Sequence, residues 1–370
     1  MATKIAASYV EPSISTKAYG ASGGVLGIGG KALEPMTIER EPATKDKLFI
    51  EILYCGVCHS DLHQVQNDWK NTVYPCVPGH EIVGRVVEIG DEVRNFSVGD
   101  VVGVGTVIDS CGQCPSCQEK LENYCEGPLG ATMTYNGPFK PDGSNTWGGY
   151  STHITIREHF VFALPEALDP KAVGPILCAG TTVWSPLRHW GIGEKHKVGV
   201  AGLGGLGHMA VKLAKALGAH VTVLTHTEGK EEAAKALGAD AVILTEDKKA
   251  MEAAELSLDF ILITIPYKFD INPFVKVAKR DGVVCTVGLI GPYDGPLDNN
   301  EVAMHRRSVA GSLVGGVDET KELLQFCADN GIAPDIEMIQ IQDINDAHER
   351  MKNEDVRFRY VIDMASLKKD

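Results

Sequence analysis

A chain of 370 residues with 44% hydrophobic and 23% charged side chains is too long for one ordinary core, and its composition is that of a soluble globular protein of two domains, not a disordered one. A net charge of -14 leaves little basic surface to neutralise phosphates, which excludes nucleic acid as the expected partner and disfavours an anionic membrane. No apolar run approaches the roughly 20 residues of a spanning helix, and "MATKIAASYVEPSIS" lacks the apolar stretch of a signal peptide, so a cytoplasmic protein is expected.

The first 30 residues, with their run "GASGGVLGIGG", receive no assignment. After them "KLFIEILYCGV", "EIVGRVVEIG" and "VRNFSVGDVVGVG" read as strands, rich in β-branched residues and broken by glycine and proline, with a turn at Gly99 and Asp100. From Lys197 the rhythm changes. "KVGVAG" is a strand, "GLGHMAVKLAKALGA" a helix that stops at glycine, "HVTVLT" a strand, "EGKEEAAKALGA" a helix and "DAVILT" a strand. "LDFILITI", "GVVCTVGLI" and "SVAGSL" supply three more strands, with a helical "INPFVKVAKR" between the first two. Six strands alternating with helices predict an α/β fold with a doubly wound parallel sheet. The tail adds a helix over "ETKELLQFCADNG" and a final strand over "RFRYVIDM". That strand lies outside the alternating series, and its return to the first half would make the β-rich domain discontinuous. The expected division is residues 1–170 with 317–370, and residues 171–316. No internal repeat or low-complexity tract is present.

Of the 10 cysteines, four fall in one loop. Cys111, Cys114, Cys117 and Cys125 form C-x2-C-x2-C-x7-C, a full tetrahedral set closed to water, as a structural zinc requires. The bacterial iron–sulfur spacing needs a nearer fourth cysteine followed by proline, which is absent. Cys55, Cys76, Cys285 and Cys327 read as small buried hydrophobes.

"GLGGLG" follows a predicted strand and opens a predicted helix, the context in which G-x-G-x-x-G binds a dinucleotide. Gly202 permits the turn, Gly204 admits a pyrophosphate, and Gly207 lets helix and strand pack; Gly205 completes the cofactor-binding glycines. An NAD site usually has an acid at the end of the second strand, about 20 residues on. Here stands Thr225, with His226 and Lys230 close by, a set that accepts a 2′-phosphate and favours NADP(H). Glu228 keeps NAD open, since it could swing in to do the acid's work.

A dispersed constellation remains: Cys58, the pair His80 and Glu81 in "VPGHE", and Cys178. Each alone is ordinary. Together, two thiolates and an imidazole leave a fourth tetrahedral position open, which marks a catalytic zinc and brings the expected content to two zinc ions per chain. Glu81 is either an occasional ligand or a neighbour of the ligands.

"GVCHSD", "GHE", the four-cysteine loop, "LCAGTTVWSPLRHW" and "GLGGLG" occur in the order found in zinc-dependent medium-chain alcohol dehydrogenases. "YCGVCHSDLHQV", "YPCVPGHEIVGRV" and "KRDGVVCTVG" most resemble the cinnamyl-alcohol dehydrogenase branch and its bacterial aldehyde reductases, and the resemblance runs from about Lys31 onward. It implies a GroES-like β-rich catalytic domain built from both chain ends, a Rossmann domain between, and a cleft where they meet. It assigns Cys58, His80 and Cys178 to zinc with Glu81 beside them, and gives Asp61 the task of holding the His80 ring. It puts Ser60 at the substrate oxygen, His63 next in a proton relay, His59 and Arg359 near the pyrophosphate, and Thr182 against the nicotinamide. The family's NADP-binding branches also lack the acid at the Thr225 place. A homodimer is the family's expectation.

The implied chemistry is polarisation of an aldehyde oxygen by zinc, hydride transfer from the nicotinamide, and proton delivery through Ser60 and His63. A small aldehyde or primary alcohol, aromatic or medium-chain, is the expected partner, and NADPH use points to reduction. Polyol dehydrogenases tend to have a carboxylate in place of Cys178, and many lack the four-cysteine loop. A non-catalytic relative would be expected to have lost part of the open zinc set or the relay, all of which is present. Trp69, Trp147 and Trp184 are candidates for an aromatic-tolerant pocket and equally for the core.

Overall fold

The computed structural model describes residues 13–23, 33–137, 145–353 and 359–369. Most of the glycine-rich run at 20–30, and Arg357 and Phe358 of the expected last strand, lie outside them. Among the described residues no helix is long and apolar enough to cross a membrane.

Residues 197–311 form a six-stranded sheet, all parallel, in the spatial order Ala241–Leu244, His220–Thr225, Lys197–Ala201, Leu258–Ile263, Ala278–Thr286, Ser308–Gly311. The three central strands are buried along most of their length, which is why they read as unbroken apolar runs and not as alternating ones. The strand order reverses between Lys197–Ala201 and Leu258–Ile263. A crevice opens there at the carboxyl ends of the strands, and the chain leaving Ala201 enters it as the glycine turn.

The second sheet runs Ile336–Gln340, Arg359–Asp363, Lys47–Gly56, Ile82–Ile89, Val101–Val104, Val161–Ala163. Lys47–Gly56 is long enough to carry two partners on one edge. His153–Arg157 pairs with its first half, and Arg359–Asp363 with its end, where Val361 lies opposite Gly56. The last strand therefore returns to the first domain, and that domain is discontinuous. A two-stranded ribbon, Ile14–Gly20 with Glu34–Arg40, packs alongside.

Among the helices that had not been expected are His59–Gln66, Ala179–His189 and Ile344–Lys352. The first begins at the N-cap Cys58, with Asp61 at its third position accepting the Cys58 N–H at 2.9 Å, a bond that fixes the helix start. The third buries Ile344, Ala347, His348 and Met351, the i, i+3, i+4, i+7 stripe of an amphipathic helix, so its signal was present in the sequence. Cys55, Cys285 and Cys327 are fully buried and Cys76 nearly so, as expected of hydrophobes; burial pushes the last three thiols up to about 12.

Candidate active site

A cleft of about 1840 Å³ runs between the two sheets. It is lined by Cys58, His80 and Cys178, and by His59, Ser60, His63, Thr182, Gly202, Gly204, Gly205, Thr225, His226, Lys230 and Arg359. Residues from Cys58 to Arg359 thus line one cleft.

The metal-type donors come from three separate elements. Cys58 caps the helix His59–Gln66, His80 precedes the strand Ile82–Ile89, and Cys178 caps the helix Ala179–His189. Their donor atoms and a Glu81 oxygen lie within 4.8 Å of one another, all buried. The two sulfurs are 3.9 Å apart. That is close to the about 3.8 Å edge of a tetrahedron with metal–sulfur bonds of about 2.3 Å, and far beyond a disulfide. His80 Nε2 lies 3.0 Å from Cys178 Sγ, while its Nδ1 faces Asp61 Oδ1 at 3.1 Å. The donor set fits a zinc ion.

Asp61 is fully buried and wholly engaged. Oδ1 also accepts the Gly79 N–H at 2.9 Å, and Oδ2 accepts from Cys58 N–H at 2.9 Å and the Tyr150 hydroxyl at 3.3 Å. Burial alone would pull the His80 imidazole down, but the Asp61 carboxylate and the Cys58 sulfur hold it well above its ordinary value. The contact between the two sulfurs, with Arg359 and His80 nearby, pulls the Cys58 thiol well below its ordinary value, while the same contact and burial push the Cys178 thiol well above its own.

Glu81 does not line the cleft. Its Oε1 stands 2.8 Å from Arg359 Nη2, and both side chains are buried. Burial pushes the Glu81 carboxyl up to about 7 against the pull of Arg359, and Arg359 is held above its ordinary value by Glu81 and the sulfurs despite burial. Removing one partner would strand a buried charge at a cost of about 3–5 kcal/mol. Arg359 also donates to the Val57 carbonyl at 3.2 Å and covers Gly205, where a Cβ would meet its Nε at 3.0 Å. The guanidinium thus joins the donor set to the glycine turn.

That turn divides its labour. Gly202 has φ +94, which the turn demands. A Cβ on Gly207 would stand 2.1 Å from the Gly202 carbonyl, so Gly207 serves close packing and does not line the cleft. A Cβ on Gly204 would meet nothing within 4 Å, and that open side, at the start of the helix Gly205–Ala216, is a cradle for phosphate. Thr225, buried, ends the second strand and accepts the Thr227 N–H at 3.2 Å. His226 and Lys230 line the cleft beside it; Glu228 does not. The carboxylates at this end, Glu232 and Glu246, stand on the next helix and beyond the next strand. The residues fit a dinucleotide carrying a 2′-phosphate.

Ser60 lines the cleft next to Cys58, and His63 lines it one turn later, about a quarter exposed, with Nδ1 2.8 Å from Asp68 Oδ2. Trp69 packs on the His63 ring at 5.7 Å between centroids and donates its indole N–H to the Leu289 carbonyl at 2.8 Å. Of the three tryptophans considered, only Trp69 lines the cleft. Trp184 is core, 4.6 Å from the ring of Phe326, and Trp147 packs against the core while its carbonyl accepts from Arg40 at 2.7 Å. Sequence reasoning missed Tyr135, which packs on His80 at 5.5 Å, and the cleft residues Arg350, Met351 and Lys352 of the unforeseen helix. No local pattern marks Tyr135.

The other four cysteines also converge. Their sulfurs lie within 4.8 Å of one another, with Cys111 and Cys117 4.0 Å apart. Backbone N–H groups of Cys111 and Gly127 point at Cys125 Sγ at 3.4 Å each, that of Cys114 at Cys111 Sγ at 3.3 Å, and that of Glu126 at Cys114 Sγ at 3.2 Å. Such donors stabilise thiolates, and they pull Cys111 down and Cys114 to about 6, while burial raises Cys117 to about 12. The set fits a second, closed zinc.

Comparison with known proteins agrees with this geometry. The alcohol dehydrogenase GroES-like domain matches residues 44–166 and the zinc-binding dehydrogenase family matches residues 205–329. The aldehyde reductase YahK of Escherichia coli is 50% identical over 337 residues, 90% of this chain and 95% of that protein. A cinnamyl alcohol dehydrogenase of Sorghum bicolor superposes with a TM-score of 0.90 at 39% identity, over 95% of this chain and 98% of that one. The CAD of Helicobacter pylori, solved in complex with NADP(H), superposes at 0.87 with 34% identity, over 96% and 99%. With both halves matched and the donor cluster between them, the chain belongs to the zinc-dependent medium-chain alcohol dehydrogenases, on their cinnamyl-alcohol dehydrogenase branch.

Proposed function

We propose that the protein is an NADP(H)-linked alcohol dehydrogenase acting as an aldehyde reductase on aromatic and medium-chain aldehydes, and on the matching primary alcohols in reverse. The observation that carries this reading is the convergence of Cys58, His80 and Cys178 in a cleft that is also lined by the glycine turn and by Thr225, His226 and Lys230. When bound, zinc supplies Lewis-acid polarisation of a carbonyl oxygen and the reduced nicotinamide supplies the hydride.

The chain's own residues do the rest. Cys58, His80 and Cys178 hold the ion, Asp61 aims the His80 ring, and Glu81 balances Arg359. Ser60 hands a proton to the developing alkoxide and His63 replenishes it from solvent. His59, Arg359 and the turn of Gly202, Gly204 and Gly205 would hold the pyrophosphate, and Thr182 would hold the nicotinamide. Thr225, His226 and Lys230 receive the 2′-phosphate. Trp69 and Leu289 give the substrate end an apolar wall. Cys111, Cys114, Cys117 and Cys125 hold a structural zinc.

The same reading divides the chain into a catalytic domain of residues 1–170 with 317–370 and a coenzyme domain of residues 171–316, with Cys178 on the seam. The pairing of Arg359–Asp363 with Lys47–Gly56 supports it. It also makes the protein a cytoplasmic homodimer. None of the 10 cysteines is joined in a disulfide, which suits a reducing compartment, and Ser308–Gly311, at the edge of the parallel sheet, offers a strand for a second copy. The deciding experiment compares NADPH with NADH on a panel of aldehydes, and NADP with alcohols, at neutral pH. Zinc-replete protein that fails to reduce benzaldehyde with NADPH would overturn the reading, and a dominant oxidative rate would overturn its direction.

A further inference from the structure

The four-cysteine lobe reaches the cleft through a short turn. Between its third and fourth cysteines, Glu122–Tyr124 forms a single 3-10 turn, and all three residues bond to the stretch 312–317, which leads from the last parallel strand into the helix Val317–Asn330. Asn123 Nδ2 donates to the Leu313 carbonyl at 2.7 Å. The Tyr124 hydroxyl accepts the Leu313 N–H at 3.0 Å and lies 3.4 Å from Ser312 Oγ. Glu122 Oε2 accepts the Val317 N–H at 3.0 Å, and its other oxygen pairs with His159 Nε2 at 2.8 Å. Packing is equally close: a Cβ on Gly316 would lie 2.0 Å from the Lys120 carbonyl. Glu122 and Asn123 are buried.

What these bonds flank is strained. Val314 has φ +40, a conformation that β-branched residues avoid and that persists only where its surroundings enforce it. Leu313 and Val314 both line the cleft. A wall of this kind, left to itself, would relax out of the left-handed region and change shape.

We propose that the Glu122–Tyr124 turn braces the 312–317 segment, holding Val314 in its strained conformation and so setting the wall against which the coenzyme and substrate fit. Asn123 and Tyr124 are positioning residues in this scheme; their side chains bond to the 312–317 stretch and neither lines the cleft. The link to coenzyme rests on reading the cleft as the NADP(H) site, whereas the brace itself does not.

The test uses Asn123→Ala with Tyr124→Phe in the full-length, zinc-replete protein, and Tyr124→Phe alone as a mild variant, since that ring is 40% exposed and keeps its packing. Zinc content by elemental analysis should stay at the parent value. Hydrogen–deuterium exchange over 312–317, including the Leu313 amide that Tyr124 accepts, should quicken about tenfold in the double variant and less in the single one. The NADPH dissociation constant, from fluorescence titration, should weaken by a similar factor. Unchanged exchange in both variants would overturn the brace, and faster exchange with unchanged NADPH affinity would overturn its link to the cleft. If the parent binds no coenzyme, the proposed function falls, and the exchange measurement alone still decides the brace.

Discussion

His80 is oriented by Asp61: with Nδ1 facing the carboxylate at 3.1 Å, the ring can offer only Nε2 to the thiol pair. The carboxylate also ties down Gly79 and Cys58, so one buried side chain fixes the backbone on which two donors stand. Asp61→Asn should lower zinc affinity at this site by roughly 10–100-fold and leave the four-cysteine site intact. Challenge with a chelator, followed by metal analysis, should then find one ion retained where the parent keeps two. Equal retention would mean that Asp61 does not tune the site.

Two glycines of the same turn should fail differently. Gly207→Ala drives a methyl into the Gly202 carbonyl, 2.1 Å away, and should lower the melting temperature sharply or prevent folding. Gly204→Ala meets no protein atom within 4 Å, so the fold should melt near the parent temperature while NADPH binding weakens at least about tenfold. Undiminished NADPH affinity in Gly204→Ala would move the phosphate elsewhere.

At the end of the second strand, Thr225→Asp sets a carboxylate where the 2′-phosphate is proposed to sit. Repulsion should reverse the ratio of NADPH to NADH dissociation constants, by a factor on the order of 10². An unaltered ratio would show that the 2′-phosphate is read at another position.

His63 sits between cleft and solvent, paired with Asp68 and packed on Trp69. His63→Ala should slow turnover, by a factor on the order of 10² at most, with NADPH affinity and zinc content preserved. Added imidazole buffer should restore part of the rate. Full activity in the variant would remove His63 from the proton path.

Asp240 offers a test of pH-dependent stability away from both metal sites. Partial burial alone would raise its carboxyl. The Lys215 ammonium at 2.8 Å and the Val221 N–H at 2.7 Å outweigh that and hold it below the ordinary value. A carboxylate depressed in the folded state contributes stability above its unfolded value, near 4, and loses it as pH falls through the folded value. Asp240→Asn should therefore melt below the parent at pH 7, and the gap should close as pH drops below about 4. A gap independent of pH would point to packing.

The sequence by itself determined whatever is written in short-range spacing. The four-cysteine loop closes within 15 residues, the glycine turn joins a strand to the next helix, and the parallel strands announce themselves by unbroken apolar runs. Each depends on contacts between near neighbours, so the chain's period and turn residues suffice. The missed helix Ile344–Lys352 belongs here too, because its stripe was legible. Tertiary structure alone decided the rest. Cys58 and Cys178 are 120 residues apart and meet because separate helices start at the same point in space. Trp69 and Trp184 look alike in sequence, yet one lines the cleft and the other fills the core. The Arg359–Glu81 pair and the bonds from Glu122–Tyr124 to the 312–317 stretch have no local signature. Long-range partners are chosen by how two sheets and their connections pack, and that choice is a property of the whole buried interface.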